Sequence, residues 1–424
     1  MNSNVGWIGT IPIHWQISRI GHLYTERKEK VSDRDFAPLS VTMKGILPQL
    51  STAAKTDAHD DRKLVRVGDF AINSRSDRRG SCGISPYDGS VSLINTVLIP
   101  RGEMHPRYYD WLFHSTMFSD EFYKWGHGIV DDLWTTNWQD MKRISVPVPP
   151  YDEQRRIADF LDRRCAEIDG VIEATKKTIE EYKALKQSII TEAVTKGVRG
   201  ERPMKDSGIE WIGEIPAEWE VVRLKSLFDF GKGLPITKEN LVETGIPVIS
   251  YGQIHSKLAN GVELQPHLFR YVDKEWLNSN PQSLVHEGDA IFADTSEDFD
   301  GCGNAVYIDG EQVLFAGYHT IILISKKRTN NKYLAYQFRT DLWRSQVRSR
   351  VSGVKVFSIS RKILGDASLL LPPPDEREQI VSFLDGQCLE VDRIIEAKQQ
   401  LITELETYKK SVIYEYVTGK MEVK

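Results

Sequence analysis

The chain has 424 residues, of which 40% are hydrophobic and 27% are charged, with a formal net charge of −5. This composition is typical of a soluble globular protein with about two to three domains, and we expect neither a membrane span nor a secretory leader because no apolar run is suitable. The acidic balance excludes a uniformly basic surface, so any nucleic-acid binding must depend on local patches.

Four segments from the first half of the chain recur in the second half. The pairs are WIGTIPIHW (7–15) with WIGEIPAEW (211–219), VGDFAI (67–72) with EGDAIF (287–292), RYYDWLFHS (107–115) with KYLAYQFRT (332–340), and PPYDEQRRIADFLD (149–162) with PPPDEREQIVSFLD (372–385). Their separation grows only from 204 residues (7 to 211) to 225 residues (107 to 332). So long a period predicts a duplicated gene folded as a pseudo-dimer, not a solenoid.

In chain order, the repeat predicts a first mixed domain over 1–150, a long helix over 151–198, a linker over 199–210, a second mixed domain over 211–371, and a second long helix over 372–424. In the mixed domains, LVRVGDFAI, VSLINTVLIP, SLVHEGDAIF and YHTIILI indicate strands, whereas PRYYDWLFHSTMF and NKYLAYQFRTDLWRSQV have helical periodicity. We therefore predict an α+β class and leave the topology within each domain open.

The two predicted long helices carry a heptad pattern over five repeats, which favours an antiparallel coiled coil if a twofold axis relates the two copies. A helix of this length spans roughly 65 Å. The alternative is that each helix packs only on its own domain. The expected helix–helix core comprises Leu161, Cys165, Ile168, Ile172, Ile179, Tyr182, Ile189, Leu384, Cys388, Val391, Ile395, Ile402, Leu405 and Val412.

No catalytic or metal-binding motif is present in the sequence. The chain lacks a GxxxxGK[ST] loop, an HExxH pair and a GxSxG elbow, and GCGNAV (301–306) has too few glycines for a dinucleotide fingerprint. The four cysteines, Cys82, Cys165, Cys302 and Cys388, form no CxxC pair. We therefore predict no catalytic residue, no metal site and no disulfide framework, and we expect a cytoplasmic protein with free thiols.

Two segments concentrate positive charge with neighbouring aromatic residues, 62–79 and 339–362. Arginine and lysine can neutralise phosphates, and arginine can also read base edges in the major groove. A run of charge can equally be a solvated face. Our DNA-binding candidates are Arg75, Arg78, Arg79, Lys124, Trp125, His127, Arg344, Arg348, Arg350, Lys355 and Arg361.

Taken together, the motifs resemble the specificity (S) subunit of type I restriction-modification systems. WIGEIPAEWEVVRLKSL (211–227) is similar to that family's domain-opening motif, and the two Pro-rich stretches are similar to the entry into its conserved helices. The resemblance covers the whole chain in the expected order. One departure is that Gln154 of the first copy is replaced by Arg377 in the second.

The resemblance implies two target recognition domains, each reading half of a bipartite double-stranded DNA target, with the helices setting the spacer between the halves. It implies docking of two modification subunits, which use S-adenosylmethionine to methylate adenine, and of restriction/translocase subunits that use ATP and Mg. This chain would hold no cofactor and catalyse nothing, while serving defence against foreign DNA. The alternatives are a tandem protein-interaction scaffold without DNA recognition, and an enzyme such as a nuclease or methyltransferase.

Overall fold

The computed structural model describes residues 1–49, 60–128, 134–210, 212–256, 262, 265–327, 332–353 and 355–423. The chain divides into two compact units. The first unit comprises Met1–Lys177 with Lys398–Lys424, and the second comprises Thr178–Ala397. Each unit combines helices with small sheets, so the predicted α+β class is confirmed. Within the described ranges, no helix combines the length and the hydropathy that crossing a membrane requires.

The first unit is built around a four-stranded antiparallel sheet with the strand order Tyr24–Glu26, Asn95–Pro100, Phe70–Asn73 and Cys82–Ile84. The other strands are Gln16–Arg19 paired with Ser145–Val148, Leu39–Thr42 paired with Gly45–Pro48, and the three-stranded set Lys30–Val31, Arg62–Val65 and Gly89–Val91. Its shorter helices are Ile20–Leu23, Pro106–His114, Thr116–Lys124 and Trp138–Met141, with a 3₁₀ turn at Ser76–Arg78.

The second unit repeats this plan. Its four-stranded sheet has the order Phe228–Lys232, Thr320–Ser325, Ala290–Ala293 and Ala305–Tyr307, and Glu220–Arg223 pairs with Ser368–Leu371. A five-stranded sheet has the order Leu241–Val242, Arg270–Val272, Ile246–Ile249, Leu314–Ala316 and Leu284–Val285, and two small pairs join Met204–Asp206 to Glu214–Pro216 and Thr295–Ser296 to Phe357–Ser358. The helices are Leu224–Leu227, Tyr251–Ile254, Trp276–Ser279, Lys332–Phe338, Asp341–Arg348 and Arg361–Gly365, with 3₁₀ turns at Lys238–Asn240, Pro266–Leu268 and Pro281–Ser283.

Local backbone chemistry divides several of the predicted elements. The segment LVRVGDFAI forms two strands in different sheets because Gly68 between them adopts φ +88°, a left-handed conformation that suits glycine. The predicted helix over 106–118 is interrupted at Ser115, whose backbone is extended. The Ser115 hydroxyl accepts a hydrogen bond from Phe118 N at 3.3 Å and so caps the second helix.

Each copy ends in a long helix, as the heptad pattern predicts. The first long helix is Tyr151–Lys196, with 46 residues, and the second long helix is Pro374–Val417, with 44 residues. Gly197 and Gly419 follow them with φ +78° and +68°. Left-handed glycine at this position is the usual way to end an α-helix.

In the first unit, the two long helices run antiparallel. The ring of Phe160 lies 4.3 Å from that of Tyr416, and the guanidinium of Arg164 lies 5.7 Å from the ring of Tyr408. Residue numbers therefore rise along one helix as they fall along the other. The second unit is also antiparallel, because Lys186 lies beside Asp392, whereas Arg199, just after the first long helix, lies beside Asp375 at the start of the second.

Lysines interrupt the heptad core at equivalent positions in the two helices. In the first unit Lys409 Nζ lies 2.6 Å from Asp169 Oδ2, and in the second unit Lys186 Nζ lies 2.6 Å from Asp392 Oδ2. A shift of 223 positions relates the two ion pairs (169 to 392 and 186 to 409). Each lysine in the heptad core thus forms an ion pair with an aspartate of the opposite helix.

Ten of the fourteen residues predicted for the helix–helix core are buried, and Tyr182, Ile189, Ile395 and Leu405 are half-buried. The long helices pack both on each other and on the mixed domains. In the first unit, Leu161 and Cys165 share a core with Val412 and with the domain's aromatic residues. In the second unit, Leu384 shares a core with Val194 and the corresponding domain.

Equivalent buried tyrosines fasten the last turn of one helix to the domain of the other copy. Tyr108 donates its hydroxyl hydrogen to Val417 O at 2.8 Å in the first unit, and Tyr333 donates to Val194 O at 3.0 Å in the second. Burial raises the pKa of both phenols well above the usual value, so both remain donors at neutral pH. Each unit therefore needs backbone from both copies to complete its core.

A carboxylate at the start of each long helix accepts a hydrogen bond from the opening motif. Glu376 is fully buried and accepts from Trp219 Nε1 at 3.0 Å and from Arg202 Nη2 at 2.5 Å. Its equivalent Glu153, with a side chain 25% exposed, accepts from Trp15 Nε1 at 2.8 Å. The tryptophans of the opening motif thus position the helices.

Candidate nucleic-acid interface

In the first unit, three predicted DNA-binding arginines follow directly after the strand Phe70–Asn73. Asn73 Oδ1 accepts a hydrogen bond from Arg75 N at 3.0 Å, and the chain then turns through Ser76–Arg78. The three side chains, Arg75, Arg78 and Arg79, are exposed. A fixed turn at the end of a buried strand therefore presents them to solvent.

A second segment, at 126–136, pairs with this turn. Ser76 N donates to Trp134 O at 3.0 Å, and Thr136 N donates to Ser74 O at 3.0 Å. Tyr123, at the end of the preceding helix, donates its hydroxyl to the carbonyl oxygens of Asn73 and Arg78, both at 3.3 Å. We call the segments 74–79 and 126–136 the first loop pair, of which 129–133 lie outside the described residues.

Two of the six candidates of this unit, Arg79 and Lys124, line one cleft, and their charges are partly compensated. Arg79 lies 3.1 Å from Asp120 and 5.2 Å from the ring centroid of Tyr123, and it shares a cleft with Lys124 and Trp134. Lys124 is 67% exposed beside Glu121. Such exposed ion pairs are worth at most about 1 kcal/mol, so a phosphate can compete for these cations.

The other two candidates near the segment 126–136 are Trp125 and His127, which differ in how far they are held by the fold. Trp125 is half-buried, donates Nε1 to Glu121 at 3.2 Å and lies 4.9 Å from the guanidinium of Arg143. His127 is 73% exposed, with Nε2 3.5 Å from Asp140. Trp125 therefore serves the fold more than the surface, whereas His127 can reach a ligand.

The second unit holds an equivalent loop pair with different side chains. Thr295–Ser296 pairs with Phe357–Ser358, and Ile359 N donates to Asp294 O at 2.8 Å. We call the segments 294–301 and 351–359 the second loop pair, of which 354 lies outside the described residues. Where the first unit has Arg75, Ser76, Asp77, Arg78 and Arg79, this one carries Thr295, Ser296, Glu297, Asp298 and Phe299.

The arginines of the helix Asp341–Arg348 are engaged within the second unit. Arg344 Nη2 donates to Asn304 Oδ1 at 2.5 Å, and burial, with neighbouring arginines, lowers its pKa to about 10. Arg348 donates to Asp341 Oδ1 at 3.1 Å and to Asp300 O at 2.7 Å, and its side chain is 14% exposed. Arg348 therefore holds the second loop pair through Asp300, whereas Arg344 is bonded to Asn304, just beyond that loop pair in the chain.

The other three candidates of the second unit, Arg350, Lys355 and Arg361, are exposed. Arg350 lines a cleft with Arg223, Lys225, Lys362 and Asp366. Lys225 Nζ lies 2.8 Å from Asp366, and Arg223 donates to the Asp366 carbonyl and to Ser368 Oγ. This cationic cleft is a candidate phosphate-binding surface.

Sequence reasoning missed Arg223, Lys225 and Trp134. The pairing of Glu220–Arg223 with Ser368–Leu371 brings the first two beside Arg350, more than 120 positions later in the chain. No local charge pattern indicates such a contact. In the described part of the chain, no group of three or more His, Cys, Asp or Glu side chains is arranged to hold a metal ion.

Comparisons with known proteins show what this chain is similar to. Residues 216–407 match the family model described as "Type I restriction modification DNA specificity domain". The chain is 24% identical over 430 residues to the "Type I restriction enzyme MjaVIII specificity subunit" of Methanocaldococcus jannaschii, covering 98% of this chain and 94% of the relative. It is 26% identical over 296 residues to the "Putative type I restriction enzyme MjaX specificity subunit" of the same organism, covering 68% of this chain and 62% of that relative.

Two solved structures share the fold. A chain from "Structural basis underlying complex assembly and conformational transition of the type I R-M system" aligns with a TM-score of 0.73 at 16% identity, covering 97% of this chain and all of the other. The HsdS subunit from Thermoanaerobacter tengcongensis aligns with a TM-score of 0.53 at 18% identity, covering 97% and 98%. Residues 216–407 therefore match a type I restriction-modification DNA specificity domain, and along almost its whole length the chain is similar to specificity subunits of that class.

Proposed function

We propose that this chain recognises a bipartite, asymmetric double-stranded DNA target, with each unit reading one half. The observation that carries the proposal is the equivalence of the two loop pairs. In each unit the first segment follows the same strand of the four-stranded sheet, yet one unit carries Arg75, Arg78 and Arg79 where the other carries Thr295, Asp298 and Phe299. One backbone plan with two different sets of side chains suits two different half-sites.

We further propose that the chain docks two modification subunits and the restriction/translocase subunits. S-adenosylmethionine, ATP and Mg would then belong to those partners, and this chain would be the non-catalytic reader. We assign this docking to the long helices, whose exposed apolar residues include Val171, Leu185, Leu389 and Leu401.

Mapping of N6-methylated adenine across the genome tests the proposal. Cells that carry this gene with its partner genes are compared with cells that lack only this gene. We expect methylation at a two-part motif with a constant gap, present only in the first strain. A continuous motif, or methylation that does not depend on this gene, would contradict a bipartite reader.

Exchange of residues 1–150 for those of a relative tests the assignment of half-sites. One half of the methylated motif is expected to change and the other to remain. Insertion of one turn, about 5.4 Å, into both long helices is expected to favour a longer gap. A scaffold without DNA recognition predicts instead that the assembled complex shows no salt-dependent affinity for any duplex.

A further inference from the structure

The second loop pair exposes an aromatic side chain on a rigid turn. Phe299 is 48% exposed, and its ring lies edge-on to that of Phe357 with 5.6 Å between centroids. Val356, which precedes Phe357 in the chain, is also 48% exposed. Large apolar groups held together in water on a loop indicate a surface that is covered by a partner.

Hydrogen bonds hold this turn in shape. Asp298 Oδ1 accepts from Gly301 N at 2.5 Å, and Ser296 Oγ donates to Asp298 O at 2.7 Å. Arg348 Nη2 donates to Asp300 O at 2.7 Å from the helix behind. The exposure of Phe299 is therefore fixed before any ligand arrives, and binding costs little conformational entropy at this turn.

The acidic residues beside Phe299 favour contacts with DNA bases over contacts with phosphates. Glu297 and Asp300 are exposed on either side of it, so this turn repels phosphate groups. Cations that can hold the DNA backbone lie on other segments, at Lys355 and at Arg350. A turn that repels phosphate but lies in the equivalent position to Arg75–Arg79 is suited to the base edges, where carboxylates accept from amino groups and apolar side chains contact the thymine methyl.

We propose that Phe299 is a specificity-determining residue of the second unit, and that it contacts the C5-methyl group of a thymine in the major groove. The inference rests on the proposed function, since it names which base feature one half-site must present.

Deoxyuridine substitution tests this contact on the unaltered protein. The full chain is assembled with its modification subunits, and its affinity is measured for target duplexes in which each thymine of either half-site is replaced singly by deoxyuridine. Removal of one buried methyl group corresponds to about a fourfold weaker binding. We expect such a weakening at one or more thymines of one half-site only.

Variants of the protein then test whether Phe299 causes the weaker binding of deoxyuridine targets. With Phe299→Ala, thymine and deoxyuridine targets are expected to bind equally, whereas Phe299→Leu should retain part of the difference. Val313→Ala, which alters another exposed apolar side chain of the same unit, should leave the difference unchanged. Thermal unfolding of each complex verifies that the variants fold.

The outcomes separate the two proposals. Specific binding with no thymine whose methyl depends on Phe299 overturns this inference alone. Loss of a modification subunit from the Phe299→Ala complex, with DNA discrimination retained, would overturn it in favour of a protein contact. Absence of specific binding to any duplex would overturn the proposed function as well.

Discussion

Removal of the Glu376 carboxylate is expected to destabilise the second unit strongly. The carboxylate is fully buried, and Arg202, only 11% exposed, donates to it at 2.5 Å. Truncating one partner of a buried ion pair costs about 3–5 kcal/mol because the remaining charge stays buried. Arg202 keeps a second ion pair with Glu218 at 3.0 Å, so Glu376→Ala should cost about 3 kcal/mol, at the lower end of that range.

The equivalent change in the first unit provides the matched control. Glu153 is 25% exposed and accepts from Trp15 Nε1 and from His14 Nε2, both at 2.8 Å. His14 is itself 50% exposed and can be rehydrated, so Glu153→Ala should cost about 1.5 kcal/mol, the lower end of the range for a hydrogen bond to a charged group. The two variants differ in burial while sharing the tryptophan contact.

Urea unfolding of each variant, followed by tryptophan fluorescence, measures the free energies. Because the two units can unfold separately, hydrogen exchange of peptides from the start of each long helix assigns each decrease in stability to its unit. A Glu153→Ala variant that is destabilised as much as Glu376→Ala, or more, would refute the argument from burial.

Three further outcomes are expected. The double variant of Arg75→Ala with Arg78→Ala should weaken DNA binding for all sequences and reduce the slope of log K against log salt by about 0.9 for each phosphate that is no longer neutralised. Lys186→Glu should lower stability by up to about 1 kcal/mol, and adding Asp392→Lys should restore it, as measured by urea unfolding. Burial raises the pKa of the Cys165 thiol to about 11, so a disulfide reagent should label it slowly at neutral pH. The free energy of unfolding should fall as the pH rises from about 9 to 11, because the thiol of the unfolded chain loses its proton at the lower pH.

The duplication, the fold class and the two long helices can be predicted from the sequence because they depend on local signals. Heptad spacing identifies Leu161 and Leu384 as core residues without knowledge of their neighbours. The strands are predicted less well, since a run such as 64–72 looks continuous until Gly68 turns it between two sheets. The apolar pattern identifies the burial of a strand but not the sheet that it joins.

The candidate interface is harder to predict because positive charge does not specify exposure. Arg344 and Arg350 belong to the same basic run, yet one is bonded to Asn304 inside the unit and the other faces a cleft. Arg344 lies on the helix Asp341–Arg348 beside Asn304, whereas Arg350 follows the end of that helix. The exposed Phe299 gives no signal in the sequence, since a lone phenylalanine is more often part of a core.

The first unit contains the last residues of the chain as well as the first 177. Tyr108 bonds to Val417 O, and Tyr414 bonds to Trp7 O at 3.0 Å. During synthesis, therefore, the first 177 residues leave the ribosome before the others but cannot complete their aromatic core until residues 398–424 of the second long helix are made. The second unit is a continuous stretch of chain and can mature earlier, so the order of translation and the order of completion are reversed.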